Sequence, residues 1–180
     1  MNHLGLLSIF VSWVGQFILL KKWPGDGTMT FSQHVARKRE SIIFYMVLWS
    51  FVLPAFYWFM MIPFADKLGL GILFKSFATL ASIGMLGAAL IPETTELKTK
   101  IHRVSAYGMA YLLCPLVFIV LIQGSISGFA RVFLWVTGLW MLAGVIRSSI
   151  EKRQHGKKTL LFQAFYVMLF HVSILVAYYL

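Results

Sequence analysis

Acidic residues are scarce. The 180-residue chain carries six Asp and Glu against 16 Lys and Arg. None of the six acids falls inside a long apolar run, which weakens any proton-coupled transport reading, because such proteins commonly use carboxylates in the membrane. Cysteine is scarcer still. The single Cys114 lies in an apolar run, so an intrachain disulfide, a thiolate metal site and a quinone-linked dithiol chemistry are excluded. No Ser-x-x-Lys, His-Glu-x-x-His, glycine-rich phosphate loop or His/Asp metal cluster is present, and no cofactor or metal is expected. Charge of either sign is low, at 12% of residues, against about 25% in a soluble domain.

Apolar residues fill the space. They make up 59% of the chain, and mean hydropathy is +0.80. One soluble core of this length cannot bury that much apolar surface. A soluble domain, a disordered chain, a collagen and a coiled coil are all excluded as the main reading. Six membrane spans of about 20 residues would use about 120 residues. The runs predict them at about 4–20, 41–64, 68–91, 104–123, 129–146 and 160–180. The expected fold is an all-α integral membrane bundle of six helices forming one domain.

The cations fix an expected orientation. Connections 21–40, 92–103 and 147–159 hold five, three and five of the 16 bases. Cytoplasmic loops collect Lys and Arg, so these three connections are expected in the cytoplasm of a cell-membrane protein, with both termini outside. All five connections agree. The start, Met1-Asn2-His3-Leu4, lacks the positive region of a signal peptide, so the first run reads as a retained helix. A net charge of +10 would suggest nucleic acid in a soluble protein, but no polar aromatic-rich domain accompanies these bases. Anionic lipid head groups are the expected partner, and nucleic acid is not. Trp13, Trp23, Trp49, Trp58, Trp135 and Trp140 read mostly as an interfacial aromatic belt. The connection lengths show no inverted repeat of the kind transporters use.

Two connections carry local signals. Trp23-Pro24-Gly25-Asp26-Gly27 is turn-rich, and Thr28 to Glu40 then reads as a short interfacial helix. Thr30 and Gln33 have capping-box spacing, and Phe31 and Val35 share a face. In the third connection Pro92 closes one helix, and Thr94 or Thr95 caps the next with Glu96 in its first turn. Small residues at Ala78, Ser82, Gly84 and Ala88, facing Ala106 and Ala110, mark the third and fourth spans as a close pair at the bundle centre.

The candidate site residues are His102, Arg103, Glu93, Glu96, Lys75 and His171. An ionisable group at membrane depth is a functional hypothesis by default. His171 lies mid-span, where a neutral imidazole bonded to another helix is the structural alternative. Bis-His haem is not expected, because His3, His34, His102 and His155 fall at or beyond interfaces. Lys75 is placed about two turns into the third span, without a buried acid, and either snorkels or faces an acidic ligand. His102, with Arg103, Ser105 and Glu93 or Glu96 near it at the cytoplasmic boundary, suits a phosphate head group; a helix cap with a charged rim is the plainer reading.

Ile91-Pro92 followed by His102 and Ala106, at the junction of the third and fourth spans, resembles the domain of unknown function 998 family of bacterial and archaeal membrane proteins. That family is similar in layout to the DRAM/Sfk-type membrane proteins. An aromatic-Pro pair ends its third helix and a His opens the fourth. Pro92 and His102 match, Ile91 replaces the aromatic, and a second His that many relatives carry in the connection is missing here. The resemblance implies the fold and leaves the activity open.

Three functions follow as expectations. The first is a non-enzymatic protein that binds or organises lipid, or serves a membrane-protein partner or a second copy of itself. The second is a small transporter or channel, for which Gln16, Ser50, Lys75, Thr79, Ser82, Tyr107, Tyr111 and His171 are the scattered polar candidates. The third is a lipid-modifying enzyme at the inner surface, built on His102 and Glu93 or Glu96.

Overall fold

A computed structural model describes residues 3–25, 29–150 and 159–180. Asp26, Gly27 and Thr28 of the turn-rich stretch, and Lys152, Arg153, His155, Lys157 and Lys158 of the fifth connection, lie outside the described residues. The protein is an all-α bundle; the described residues form seven helices, six of them long and apolar enough to cross a membrane. They are α1 (Leu4–Lys22), α2 (Phe31–Val35), α3 (Arg39–Leu68), α4 (Ile72–Leu90), α5 (Glu96–Gln123), α6 (Gly128–Ile150) and α7 (Thr159–Tyr179). Among the described helices only α2 is too short to span.

Each long helix packs against the next in the chain, and α7 returns to touch both α5 and α1. In α1 the residues turned inward are Gly5, Ser8, Ile9, Ser12, Gly15 and Leu19. Gly5, Ser8, Ser12 and Gly15, spaced alternately by three and four, place small side chains along one seam, which lets α3 come close. Gly5 lies under the Phe59 ring, and a methyl group at Gly15 would stand 2.5 Å from Leu48. Lys21 and Lys22 then end the helix.

The second span is longer than its apolar run suggests. Pro63 has no N–H to give to the helical ladder. The ladder widens there into a π-turn over Met60–Phe64, and α3 continues for another turn instead of stopping at Phe64. It ends at Gly69, whose φ of 68° is left-handed. The Leu70 amide donates to Ala65 O (2.8 Å) and the Gly69 amide to Asp66 O (3.3 Å), the paired bonds of a Schellman ending. The turn moves the start of the third span from the expected Leu68 to Ile72.

The α4–α5 contact is the most extensive in the bundle. A methyl group at Gly84 would stand 2.9 Å from Ser105 O, and one at Gly87 would stand 2.5 Å from Ser105 Oγ. The close pair thus meets on Gly84, Gly87, Ser105 and Met109. Helix α7 is the third central element. Phe170, Ile174, Ala177 and Tyr178 are buried against α3 and α5 in the main core cluster.

The expected helix from Thr28 to Glu40 is shorter. Thr30 Oγ1 accepts from the Gln33 amide (3.2 Å), and Gln33 Oε1 accepts from the Thr30 amide (2.8 Å), a complete capping box. The helix nevertheless stops at Val35. Lys38 is extended, and Ser41 Oγ lies 2.7 Å from both Val35 O and Lys38 O. Lys38 O already accepts from the Ile42 amide, so the one hydroxyl proton is best used on Val35 O, freed by the break.

Candidate functional site

The first and third connections meet the start of α7 at one end of the bundle, called here the basic end. Two hydrogen bonds pin α2 there. Ser32 Oγ donates to Glu93 Oε1 (3.0 Å), and the Phe31 amide donates to Gln163 Oε1 on α7 (3.1 Å). Val35 and His34 are buried, and Phe31 packs on Tyr45 of α3 at 5.6 Å between ring centres. His34 Nδ1 donates to Thr30 O (3.1 Å).

Beneath α2 lies the Glu93 cluster. The Glu93 side chain is only 10% exposed. Its Oε1 stands 3.6 Å from His102 Nε2, and its Oε2 stands 3.7 Å from Arg103. His102 is buried and donates from Nδ1 to Ile91 O (2.8 Å). The elements that deliver these groups are simple. Pro92 follows the last turn of α4 and turns the chain so that Glu93 faces inward. Thr95 then starts α5, its Oγ1 accepting from the Lys98 amide (3.3 Å). Seven residues later, on the inward face, comes His102.

The sequence left Glu93 and Glu96 equivalent, and the fold separates them. Glu96 is exposed in the first turn of α5, outside the cluster. Arg103 joins Glu93 while half exposed, at 51%. The hydroxyl nearest the carboxylate is Ser32, which had no local signal because 61 positions separate it from Glu93. Ser105 instead fills the seam opposite Gly87.

The chemical capacity of the cluster is limited. His102 has one ring nitrogen on a carbonyl and the other on a carboxylate. Ser32 donates to Glu93 rather than to His102. A nucleophile–base pair requires the hydroxyl on the imidazole, and this arrangement does not supply it. The Glu93 carboxylate stands near both His102 and Arg103. Around it stand exposed cations with few acids: Lys21, Lys22, Arg37, Lys38, Arg39, Lys98, Lys100 and Arg147. Arg37 also donates to Pro24 O (2.8 Å).

The other candidates lie elsewhere. His171 is buried, and its Nδ1 accepts from Trp13 Nε1 (2.8 Å). Indole N–H only donates, so the proton of a neutral His171 ring is on Nε2. Phe56 and Phe170 flank it at 5.7 and 6.0 Å. Trp13 therefore ties α1 to α7 and is not part of an interfacial belt. Lys75 lies in the first turn of α4, not two turns deep, and pairs with Asp66 at 3.7 Å. The pair stands at the opposite end, here the short-loop end, because the π-turn carries Asp66 into the last turn of α3. The scattered polar residues stay scattered: Thr79 bonds Tyr57 (3.1 Å), while Ser50, Tyr107 and Tyr111 face outward. Two apolar concavities of about 340 and 610 Å³ lie beside His3 at the outer surface of α1, remote from the Glu93 cluster. Among the described residues no three His, Cys, Asp or Glu side chains come together as a metal set.

No family model matches the chain, and no curated protein or solved structure matches it either.

Proposed function

We propose that this is a multi-pass cell-membrane protein that binds anionic lipid head groups at its basic end, without chemistry of its own. In this reading the basic end faces the cytoplasm and both termini face outward. The observation that carries it is the outward stand of the cations at that end, while Glu93 is turned inward and used up. Each base near an anionic leaflet contributes about 1 kcal/mol. The resemblance to the domain of unknown function 998 family, through Pro92 and His102, belongs to the same proposal. A second copy or another membrane protein, held through the apolar outer faces, is compatible with it.

Native mass spectrometry of the protein extracted with surrounding lipid tests the reading. Phosphatidylglycerol should be retained over phosphatidylcholine, and the preference should fall when Arg37, Lys38 and Arg39 are all changed to Gln. Equal retention of both lipids would sink the proposal. Labelling of single cysteines placed at Lys98 and at Lys67 in intact cells tests the orientation. Label reaching position 98 from outside would invert it.

A further inference from the structure

We propose that α2 is a strap over the basic end, closed by the Glu93 carboxylate and opened by an anionic phosphate group that draws Arg103 away from it. This rests on the lipid-binding reading above and adds a moving part to it.

The Glu93 carboxylate serves two sides at once. Toward the strap it accepts a true hydrogen bond from Ser32 at 3.0 Å. Toward α5 its partners stand at 3.6 and 3.7 Å, beyond hydrogen-bond distance. The imidazole and the guanidinium are therefore held loosely, and Arg103 is half exposed. A phosphate can take an Arg in a paired, charge-assisted geometry that is shorter and stronger. Losing Arg103 leaves Glu93 almost buried, with one hydroxyl and a distant imidazole. A carboxylate so placed is costly, and turning out toward water breaks the Ser32 bond.

The strap has joints on both sides of it. Thr30 before it and Lys38 after it are extended, and the Ala36–Lys38 segment leaves the helix. Its other holds include the Gln163 bond, the Ser41 bond to Val35 O, the packing of Phe31 on Tyr45, and the burial of His34 and Val35. Arg37, Lys38 and Arg39 stand exposed just past the strap, so a phosphate gathered by them arrives next to Arg103's partner.

Hydrogen exchange over residues 31–36 of the unmodified chain in nanodiscs reads the strap directly. Exchange should be slow in phosphatidylcholine and about tenfold faster when phosphatidylglycerol is mixed in. Arg103→Gln should abolish the lipid dependence, and Ser32→Ala should give fast exchange in both lipids. Inorganic phosphate added to phosphatidylcholine discs distinguishes the source: opening there assigns a soluble phosphate ligand, and opening only with phosphatidylglycerol assigns the head group. Equal exchange in all three conditions overturns the strap. If phosphatidylglycerol is still retained by mass spectrometry in that case, the lipid-binding reading stands alone. A lipid dependence that survives in Arg103→Gln also overturns the proposal.

Discussion

At the short-loop end, Phe59, Phe64, Phe74 and Tyr178 interlock, with ring centres 5.0 Å apart for Phe59–Tyr178 and 5.6 Å for Phe64–Phe74. Lys67 lies over the Tyr178 ring at 4.5 Å and donates to the Tyr178 carbonyl. At the basic end the core is a smaller cluster around Leu19, Val35, Tyr45, Trp49 and Ala89, and a polar group of Ser32, Glu93, His102 and Arg103 covers it. One end is closed by area and the other by a few directional contacts. Apolar closure is tolerant of small shifts in geometry, whereas a polar cluster loses much when one member leaves. The short-loop end is accordingly suited to holding the bundle together, and the basic end to responding.

That contrast can be broken from either side. The largest effect is expected for Phe59→Ala, which empties a fully buried ring site beneath Gly5 and beside Tyr178. It should cost about 3–5 kcal/mol, read as a large drop in the thermal midpoint in detergent. If it costs under about 1 kcal/mol, the aromatic end is not what holds the bundle. Next is His102→Ala, which takes the imidazole donor from Ile91 O and one of the three neighbours from the Glu93 carboxylate. A loss of about 1–3 kcal/mol is expected, and an unchanged midpoint would contradict the structural role assigned to this ring. Trp13→Phe removes only the bond to His171 and should cost about 0.6 kcal/mol, the average for a polar contact between membrane helices. A multi-kcal/mol loss there would mean that His171 depends on α1 for more than one hydrogen bond. The smallest effect belongs to Lys75→Met. The Lys75–Asp66 pair is solvent-accessible, and its removal should change stability by at most about 0.5 kcal/mol. Altered flux of a solute in this variant would revive the transporter reading.

The comparison also separates what the sequence reveals from what it hides. Long apolar runs, broken by basic connections, expose six spans because only one period and one length are needed to recognise them. The capping box at Thr30 and Gln33 is equally local. Legibility fails where one residue changes the geometry of its neighbours. Pro63 reads as a stop, yet the π-turn absorbs it, and this moves both the end of α3 and the depth of Lys75. It fails again where partners are distant in the chain. Nothing in the third connection singles out Glu93 from Glu96, because the deciding hydroxyl is on α2. Trp13 and His171, 158 positions apart, pose the same problem.

The unequal lengths of α4 and α5 have a consequence for how the protein fits a bilayer. Helix α4 has 19 residues and α5 has 28. The bond from His102 to Ile91 O sets these two positions level, so Glu96 to Ile101 rise past the end of α4 by about 9 Å. The short helices, at about 28 Å, define the apolar slab, slightly less than the roughly 30 Å of an average hydrocarbon core. A bilayer of greater thickness would have to thin around α1 and α4 or tilt them, and each ångström of mismatch costs a fraction of a kcal/mol. Changing the acyl-chain length of the surrounding lipid should therefore change the tilt of α1 and α4 before that of the longer α5.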